Sequence, residues 1–128
     1  MSLPRALLML MRIEVAIQVI LGIGFWTGHW HGATPVHQTI GTTYVLLLWI
    51  LALYALITRR TWGLSIFALL WGVGLAMLGF SQQGILAGSN LHWIVRVVHL
   101  LVGVAAIPIA ERLAGPRRAT APPERAMA

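Results

Sequence analysis

Four long apolar runs, at residues 6–26, 36–57, 62–80 and 91–110, limit what this chain can fold into more than any other feature. Each run is long enough to cross ~30 Å of hydrocarbon as an α-helix that rises ~1.5 Å per residue. Together they occupy about two thirds of the 128 residues, and the remainder is divided among short connections and end segments, so no segment is left for a separate soluble domain. We therefore predict an all-α integral membrane protein whose residues 1–114 form an up-down four-helix bundle, with any functional site between the helices or at their ends.

Composition supports this fold class and excludes several kinds of chemistry. Apolar residues make up 59% of the chain and charged residues only 9%, far from the balance of a soluble domain. The absence of cysteine excludes disulfides, thiolate haem ligation, Cys-ligated iron–sulfur clusters and thiol catalysis, so redox chemistry would need a bound cofactor. We do not expect a signal peptide, because Arg12 and Glu14 interrupt the first run and no small-residue cleavage site follows it.

The arginines predict an orientation in the membrane. All 9 basic residues are arginines, and the net charge is +6. All but Arg96 lie at the start of the first run or after the second and fourth runs: Arg5, Arg12, Arg59, Arg60, Arg112, Arg117, Arg118 and Arg125. The positive-inside rule then places both termini and the middle connection in the cytoplasm, with the bundle in a bacterial inner membrane. We expect this basic rim to contact anionic lipid headgroups and not nucleic acid, and residues 115–128 to form a disordered basic tail.

A short motif occurs twice, as VHQTIG at residues 36–41 and as VHLLVG at residues 98–103. In an up-down bundle the second and fourth helices are parallel and diagonal, so His37 and His99 can face each other across the core. Two such imidazoles can ligate the iron of a single b-type haem near the outer leaflet. Gly41 and Gly103, one turn after each histidine, would leave room for the macrocycle. We predict these four residues as the haem site, with the two histidines as iron ligands.

Two further glycine elements extend the repeat. LGIG at residues 21–24 lies near the end of the first run, and WGVG at residues 71–74 lies in the second half of the third. Their similar positions predict a tandem duplication of a two-helix unit. The alternative for these elements is that glycine allows close helix packing.

The fourth run carries two more candidate site residues, since His92, Arg96 and His99 share one helical face. His92 is the alternative iron ligand, because its depth, counted from the cytoplasmic arginines, matches that of His37 better. The motif favours His99. An unpaired arginine in lipid is expensive, so we expect Arg96 to bind the haem propionates, with His92 as an additional donor. The alternatives for Arg96 are snorkelling to the interface or an ion pair with Glu14.

Glu14 is a carboxylate in the cytoplasmic half of the first run, one turn before Gln18. We expect it to pair with Arg12 or Arg112, which lie near the same depth. The alternative is a site for a proton or for quinone.

The residues also resemble a known family. The run RIEVAIQVILGIGFWTG, followed by VHQTIG and later by RVVHLLVG, resembles one four-helix half of haem A synthase over most of residues 12–112. The resemblance implies that His37 and His99 face a haem. The family's catalytic half has a glutamate and an arginine where this chain has Thr34 and Gln38. The resemblance therefore implies a bundle that holds haem, and small four-helix b-type cytochromes that anchor redox enzymes look similar.

We predict an electron-transfer subunit that binds haem b, with quinone as a candidate second ligand and no residue assigned to catalysis. Its expected partners are membrane lipids and either other membrane redox subunits or further copies of itself. A cofactor-free accessory subunit of a larger membrane complex is the main alternative. A third hypothesis is a zinc or copper site in the first outer connection, built from His29, His31 and His37.

Overall fold

The chain folds into four α-helices in a computed structural model, which describes residues 2–58, 61–82, 84–86 and 88–115. The helices are α1 Leu3–Trp26, α2 Thr34–Ile57, α3 Trp62–Ser81 and α4 His92–Ala114. A short 3-10 helix, His31–Ala33, leads into α2. Regular structure among the described residues is entirely helical, which confirms the all-α prediction.

Each of the four helices is long and apolar enough to span a membrane. The shortest, α3, has 20 residues and so a length of ~30 Å at ~1.5 Å per residue. The apolar runs in the sequence therefore located all four helices to within a few residues. The predicted disordered tail lies outside the described part of the chain from residue 116 onward.

Two prolines lie at helix starts, where proline is well tolerated, and a third lies inside a helix, where it is usually unfavourable. Pro4 and Pro35 lie in the first turn of α1 and α2, where no backbone N–H is needed for a bond within the helix. Pro108 lies inside α4, where it removes one backbone donor. The helix nevertheless continues to Ala114, as expected from the apolar run on both sides of this proline.

The contacts between helices show how they are arranged. Consecutive helices pack against each other and α4 also packs against α1, while α2 contacts α4 across the centre. Short connections join these neighbours, so consecutive helices run antiparallel and α2 and α4 run in the same direction. We call the end where α2 and α4 begin the histidine end and the opposite end the arginine end.

Most of the completely buried side chains lie toward the arginine end. Large side chains there are completely buried, among them Met11, Leu48, Leu51 and Leu113. Small residues let the helices approach closely at the same level, as fully buried Ala52, Ala55, Ala106 and Ala110 do. The bundle is thus closed at one end, which leaves the histidine end as the place where a ligand could enter between the helices.

Candidate functional site

The two histidines of the repeated motif come together at the histidine end. Their ring centroids lie 6.3 Å apart and their ring planes are tilted by 53°. His37 is in the first turn of α2 and His99 is in the second turn of α4, and both are half-buried. The parallel course of α2 and α4 is what brings the two imidazoles to similar depth.

Five of the six predicted site residues line one cavity of about 300 Å³. They are His37 and Gly41 from α2, and Arg96, His99 and Gly103 from α4. Residues of α1 and α3 complete the wall, so all four helices contribute. A volume of this size is at the lower end of the ~300–1,000 Å³ typical of cofactor and ligand pockets.

Each helix contributes one glycine to the wall of this cavity: Gly22, Gly41, Gly79 and Gly103. A Cβ atom on Gly22 would have no atom within 4 Å, and one on Gly103 would have only Leu75 Cδ1, at 3.9 Å. At Gly79 a Cβ would lie 3.4 Å from His99 Cε1. The sequence patterns did not identify Gly79, because it belongs to neither repeated motif.

Gly41 has a different neighbour from the one that we expected. A Cβ on this residue would lie 2.8 Å from Gln18 Nε2. That nitrogen donates a hydrogen bond of 2.8 Å to the His37 carbonyl oxygen. The missing side chain of Gly41 therefore accommodates the Gln18 amide as well as lining the cavity.

Most buried polar side chains in the bundle bond to backbone carbonyls, as Tyr44, Trp49 and Trp71 do. Four buried side-chain atoms of the described residues have no hydrogen-bond partner: Glu14 Oε2, Gln18 Oε1, His37 Nδ1 and His99 Nδ1. The last three belong to residues that line the cavity. Unpaired buried polar atoms are costly, so their concentration at one cavity is typical of a site that binds a ligand.

Two further residues of the cavity wall, Phe25 and Arg96, affect how a ligand could bind. Phe25 meets the His37 ring edge-on, with ring centroids 5.2 Å apart, and so restricts its orientation. Arg96 is exposed and forms no hydrogen bond or ion pair with another described residue, including Glu14. It is therefore a cation at the cavity wall with all its donors available.

His92, the sixth predicted site residue, lies away from the cavity. It begins α4, and its Nδ1 lies 3.1 Å from the Ile85 carbonyl oxygen in the preceding connection. Of the two histidines considered as the partner of His37, His99 is therefore the one beside it.

The predicted ion pair of Glu14 with Arg12 or Arg112 is wrong. Arg12 pairs instead with Glu111 of α4, at 2.7 Å, and this is the only ion pair among the described residues. Glu14 accepts a hydrogen bond of 2.9 Å from the Thr43 hydroxyl of α2. The rotation of α1 directs Arg12 toward α4 and Glu14 toward α2, and sequence depth alone could not distinguish these directions.

The two Gly-x-Gly elements do not have equivalent surroundings. A Cβ on Gly24 would overlap the ring of Trp30, whereas one on Gly72 would overlap the indole of Trp49. Gly22 lines the cavity, but Gly74 does not. Gly24 and Gly72 accordingly agree with the close-packing alternative, whereas Gly22 and Gly74 have open space around a Cβ. In the cavity wall, Gly79 is the residue of α3 that corresponds to Gly22.

The hypothesis of a metal site in the first outer connection gains no support. No group of three or more His, Asp or Glu side chains that could hold a metal ion occurs in the described residues. The side chain of His31, which that hypothesis includes, lies outside them. Comparisons of the chain with family models, with curated proteins and with solved structures find no match.

Proposed function

We propose that this chain is a membrane b-type cytochrome that holds one haem between His37 and His99 and transfers electrons as a subunit of a redox complex. The observation that carries the proposal is the pair of imidazoles, 6.3 Å apart between centroids, in the wall of one cavity. The resemblance to one half of haem A synthase agrees with the same two residues.

The separation of the rings fits two bonds to one metal ion. Metal–imidazole bonds are ~2 Å long and a ring centroid lies ~1 Å beyond the bonding nitrogen, so two axial imidazoles have centroids ~6 Å apart. Packed aromatic rings also have centroids ~4.5–7 Å apart, so the distance agrees with both arrangements. The buried, unpaired Nδ1 atoms of both rings are what favours a ligand pair.

The cavity wall suits a flat ring system. Four glycines, one from each helix, face a space that side chains would otherwise narrow. The wall is largely apolar and includes aromatic residues such as Phe25, Trp26 and Phe80. A macrocycle that is apolar except for its carboxylates would find this lining favourable.

Arg96 supplies the charge that the carboxylates of haem require. Arg96 is one of the residues that line the cavity, and it has no protein partner among the described residues. An arginine binds carboxylates through paired, charge-assisted hydrogen bonds. We therefore assign Arg96 to the propionates, which would lie toward the histidine end.

When bound, haem supplies a one-electron iron couple. His37 and His99 would hold the iron, the apolar wall would exclude water and Arg96 would neutralise the carboxylates. The described histidines all lie in the half of the bundle at the histidine end, so the proposal is limited to one haem. Quinone and other redox subunits are the proposed exchange partners for electrons.

The large apolar residues on the outer surface support insertion in a membrane. Several large side chains have about half of their surface exposed or more: Leu10 at 50%, Ile20 at 56%, Leu53 at 46%, Leu70 at 66% and Leu101 at 61%. Only a bilayer or partner helices would cover so much apolar surface. The arginine end would face the cytoplasm by the positive-inside rule.

The test is a reduced-minus-oxidised visible spectrum of the purified chain. We expect a b-type spectrum that is lost in His37→Ala and in His99→Ala but kept in His92→Ala, because His92 lies outside the cavity wall. Loss only in His92→Ala and His37→Ala would assign the second ligand to His92. A colourless wild-type protein, expressed with sufficient haem, would favour the cofactor-free accessory subunit.

A further inference from the structure

We propose that Gln18 is a positioning residue that makes His37 and His99 unequal as haem ligands. In this proposal, which rests on the proposed function, Gln18 Oε1 accepts a hydrogen bond from Nδ1 of His37. The corresponding position on α3 is Leu75, which provides His99 with no such acceptor.

The orientation of the Gln18 amide is set by its neighbour. A carbonyl oxygen can only accept a hydrogen bond, so the group that lies 2.8 Å from the His37 carbonyl must be the NH₂ of Gln18. The amide oxygen is therefore the other terminal atom. It is buried, has no partner among the described residues and belongs to a side chain that lines the cavity.

His37 carries the complementary unsatisfied atom. Its Nδ1 is also buried without a partner in the described part of the chain. Ligation of iron through Nε2 makes Nδ1 a donor, and metal-bound histidines almost always give that proton to a carboxylate, a carbonyl or water. The Gln18 amide already contacts the backbone of His37, which makes its oxygen the available acceptor on α1.

The α3 side lacks this acceptor. Gln18 is the residue nearest to Gly41, and Leu75 is the residue nearest to Gly103, so these two side chains occupy equivalent places in the two halves. The neighbour of the His99 ring is Gly79, one turn after Leu75. The His99 Nδ1 atom is buried and unpaired, and neither of these α3 residues has a side-chain acceptor to offer.

The chemical consequence is a difference in ligand basicity. A hydrogen bond from Nδ1 raises the basicity of a metal-bound imidazole, and loss of such a partner typically changes metal affinity ~10- to 100-fold. A more basic ligand favours ferric over ferrous iron and so lowers the midpoint potential. Gln18 therefore lowers the potential through His37, while Leu75 leaves His99 without that effect.

Three variants of the full chain, loaded with haem b, test the proposal by redox titration. Gln18→Leu removes the acceptor and should raise the midpoint potential by ~59 mV, the value for a tenfold change in a one-electron couple. Gln18→Glu also loses the bond to the His37 carbonyl but keeps an acceptor, so its potential should not rise and should fall below that of the wild type. Leu75→Gln offers His99 an acceptor and should lower the potential as well.

These variants separate the proposed role from a structural one. If Gln18 served only to hold α1 against α2, the uncharged Leu75→Gln variant, which alters no contact between α1 and α2, would leave the potential unchanged, and that result would overturn the proposal. An unchanged potential in Gln18→Leu, at full haem content, would also overturn it and would leave the haem site itself intact. A wild-type chain that binds no haem would instead overturn the proposed function and this inference together.

Discussion

The Tyr44 hydroxyl donates a hydrogen bond of 2.9 Å to the Gly103 carbonyl oxygen and joins α2 to α4 beside the cavity. Gly103 lies one turn after His99, so this bond holds the two helices that carry the histidines at a fixed spacing. Tyr44 is buried, with 3% of its surface exposed, and a neutral hydrogen bond of this kind contributes ~0.5–1.5 kcal/mol.

Tyr44→Phe should therefore destabilise the bundle by ~0.5–1.5 kcal/mol, because the ring remains and only the hydroxyl is lost. Thermal unfolding in detergent micelles measures this change. Tyr54→Phe is the matched control, since no hydrogen bond from the Tyr54 hydroxyl is found among the described residues. Equal effects of the two substitutions would mean that the bond to Gly103 does not stabilise the pairing of α2 and α4.

Substitution by alanine should destabilise the bundle at Gly72 but not at Gly74. A Cβ on Gly72 would overlap the Trp49 indole, whose nitrogen donates to the Leu69 carbonyl, so Gly72→Ala should cost ~1–3 kcal/mol. A Cβ on Gly74 meets nothing within 4 Å, and alanine is a better helix former than glycine by up to ~1 kcal/mol. Gly74→Ala should therefore not lower the unfolding temperature, and a comparable loss in both variants would contradict this packing.

Gly22→Leu should reduce the binding of haem in the cavity without affecting the folding of the bundle. No atom lies within 4 Å of a Cβ at this position, so the leucine side chain can enter the cavity without displacing a neighbour. We expect helix content and unfolding temperature to be kept, and the ratio of haem to protein to fall. Gly63→Leu is the control, because Gly63 also has open space but lies outside the cavity wall. Normal haem content in Gly22→Leu would contradict the assigned position of the ring.

Arg96→Gln should weaken haem binding about tenfold or more, the equivalent of one charge-assisted hydrogen bond worth ~1.5–3 kcal/mol. The midpoint potential should also fall, because a nearby positive charge favours the ferrous state, which has one positive charge less. Competition with a haem-binding apoprotein measures the affinity, and redox titration measures the potential. Arg112→Gln removes the same charge at the arginine end and should change neither quantity by a similar amount.

A double-mutant cycle checks the ion pair between α1 and α4. Both side chains of the Arg12–Glu111 pair are about half exposed, at 56% and 44%, so we expect a coupling energy of only ~0.2–1 kcal/mol. The same cycle on Arg12 and Glu14 should give a coupling near zero, because Glu14 bonds to Thr43 instead. Stronger coupling within the second pair would show that Arg12 turns toward Glu14 in the membrane.

Long-range features of the fold were predictable from the sequence because each long apolar run predicts one helix. A helix that crosses hydrocarbon needs a long apolar run, so run length located α1 to α4 directly. The repeated motif likewise identified His37 and His99, because parallel helices place equal positions at similar depth. Neither inference needs knowledge of how far each helix is rotated about its axis.

Features that depend on rotation and on side-chain packing were not predictable. The partner of Arg12 is on α4 and not on its own helix, which depends on the rotation of α1. Gly24 accommodates Trp30 because the connection after α1 turns back toward the helix, a path with no periodic signal. Gln18 was visible as a polar residue in an apolar run one turn before Gly22, but its contact with His37 required the packing of α1 on α2.

The paired imidazoles also have a consequence for biogenesis. His37 is made with the first helical hairpin and His99 with the second, so a nascent chain that contains only α1 and α2 has one of the two proposed ligands. The proposed haem, which needs both histidines, would therefore be bound only after α4 has been synthesised. Splitting the gene between α2 and α3 should accordingly give two short polypeptides that acquire colour only when they are produced together.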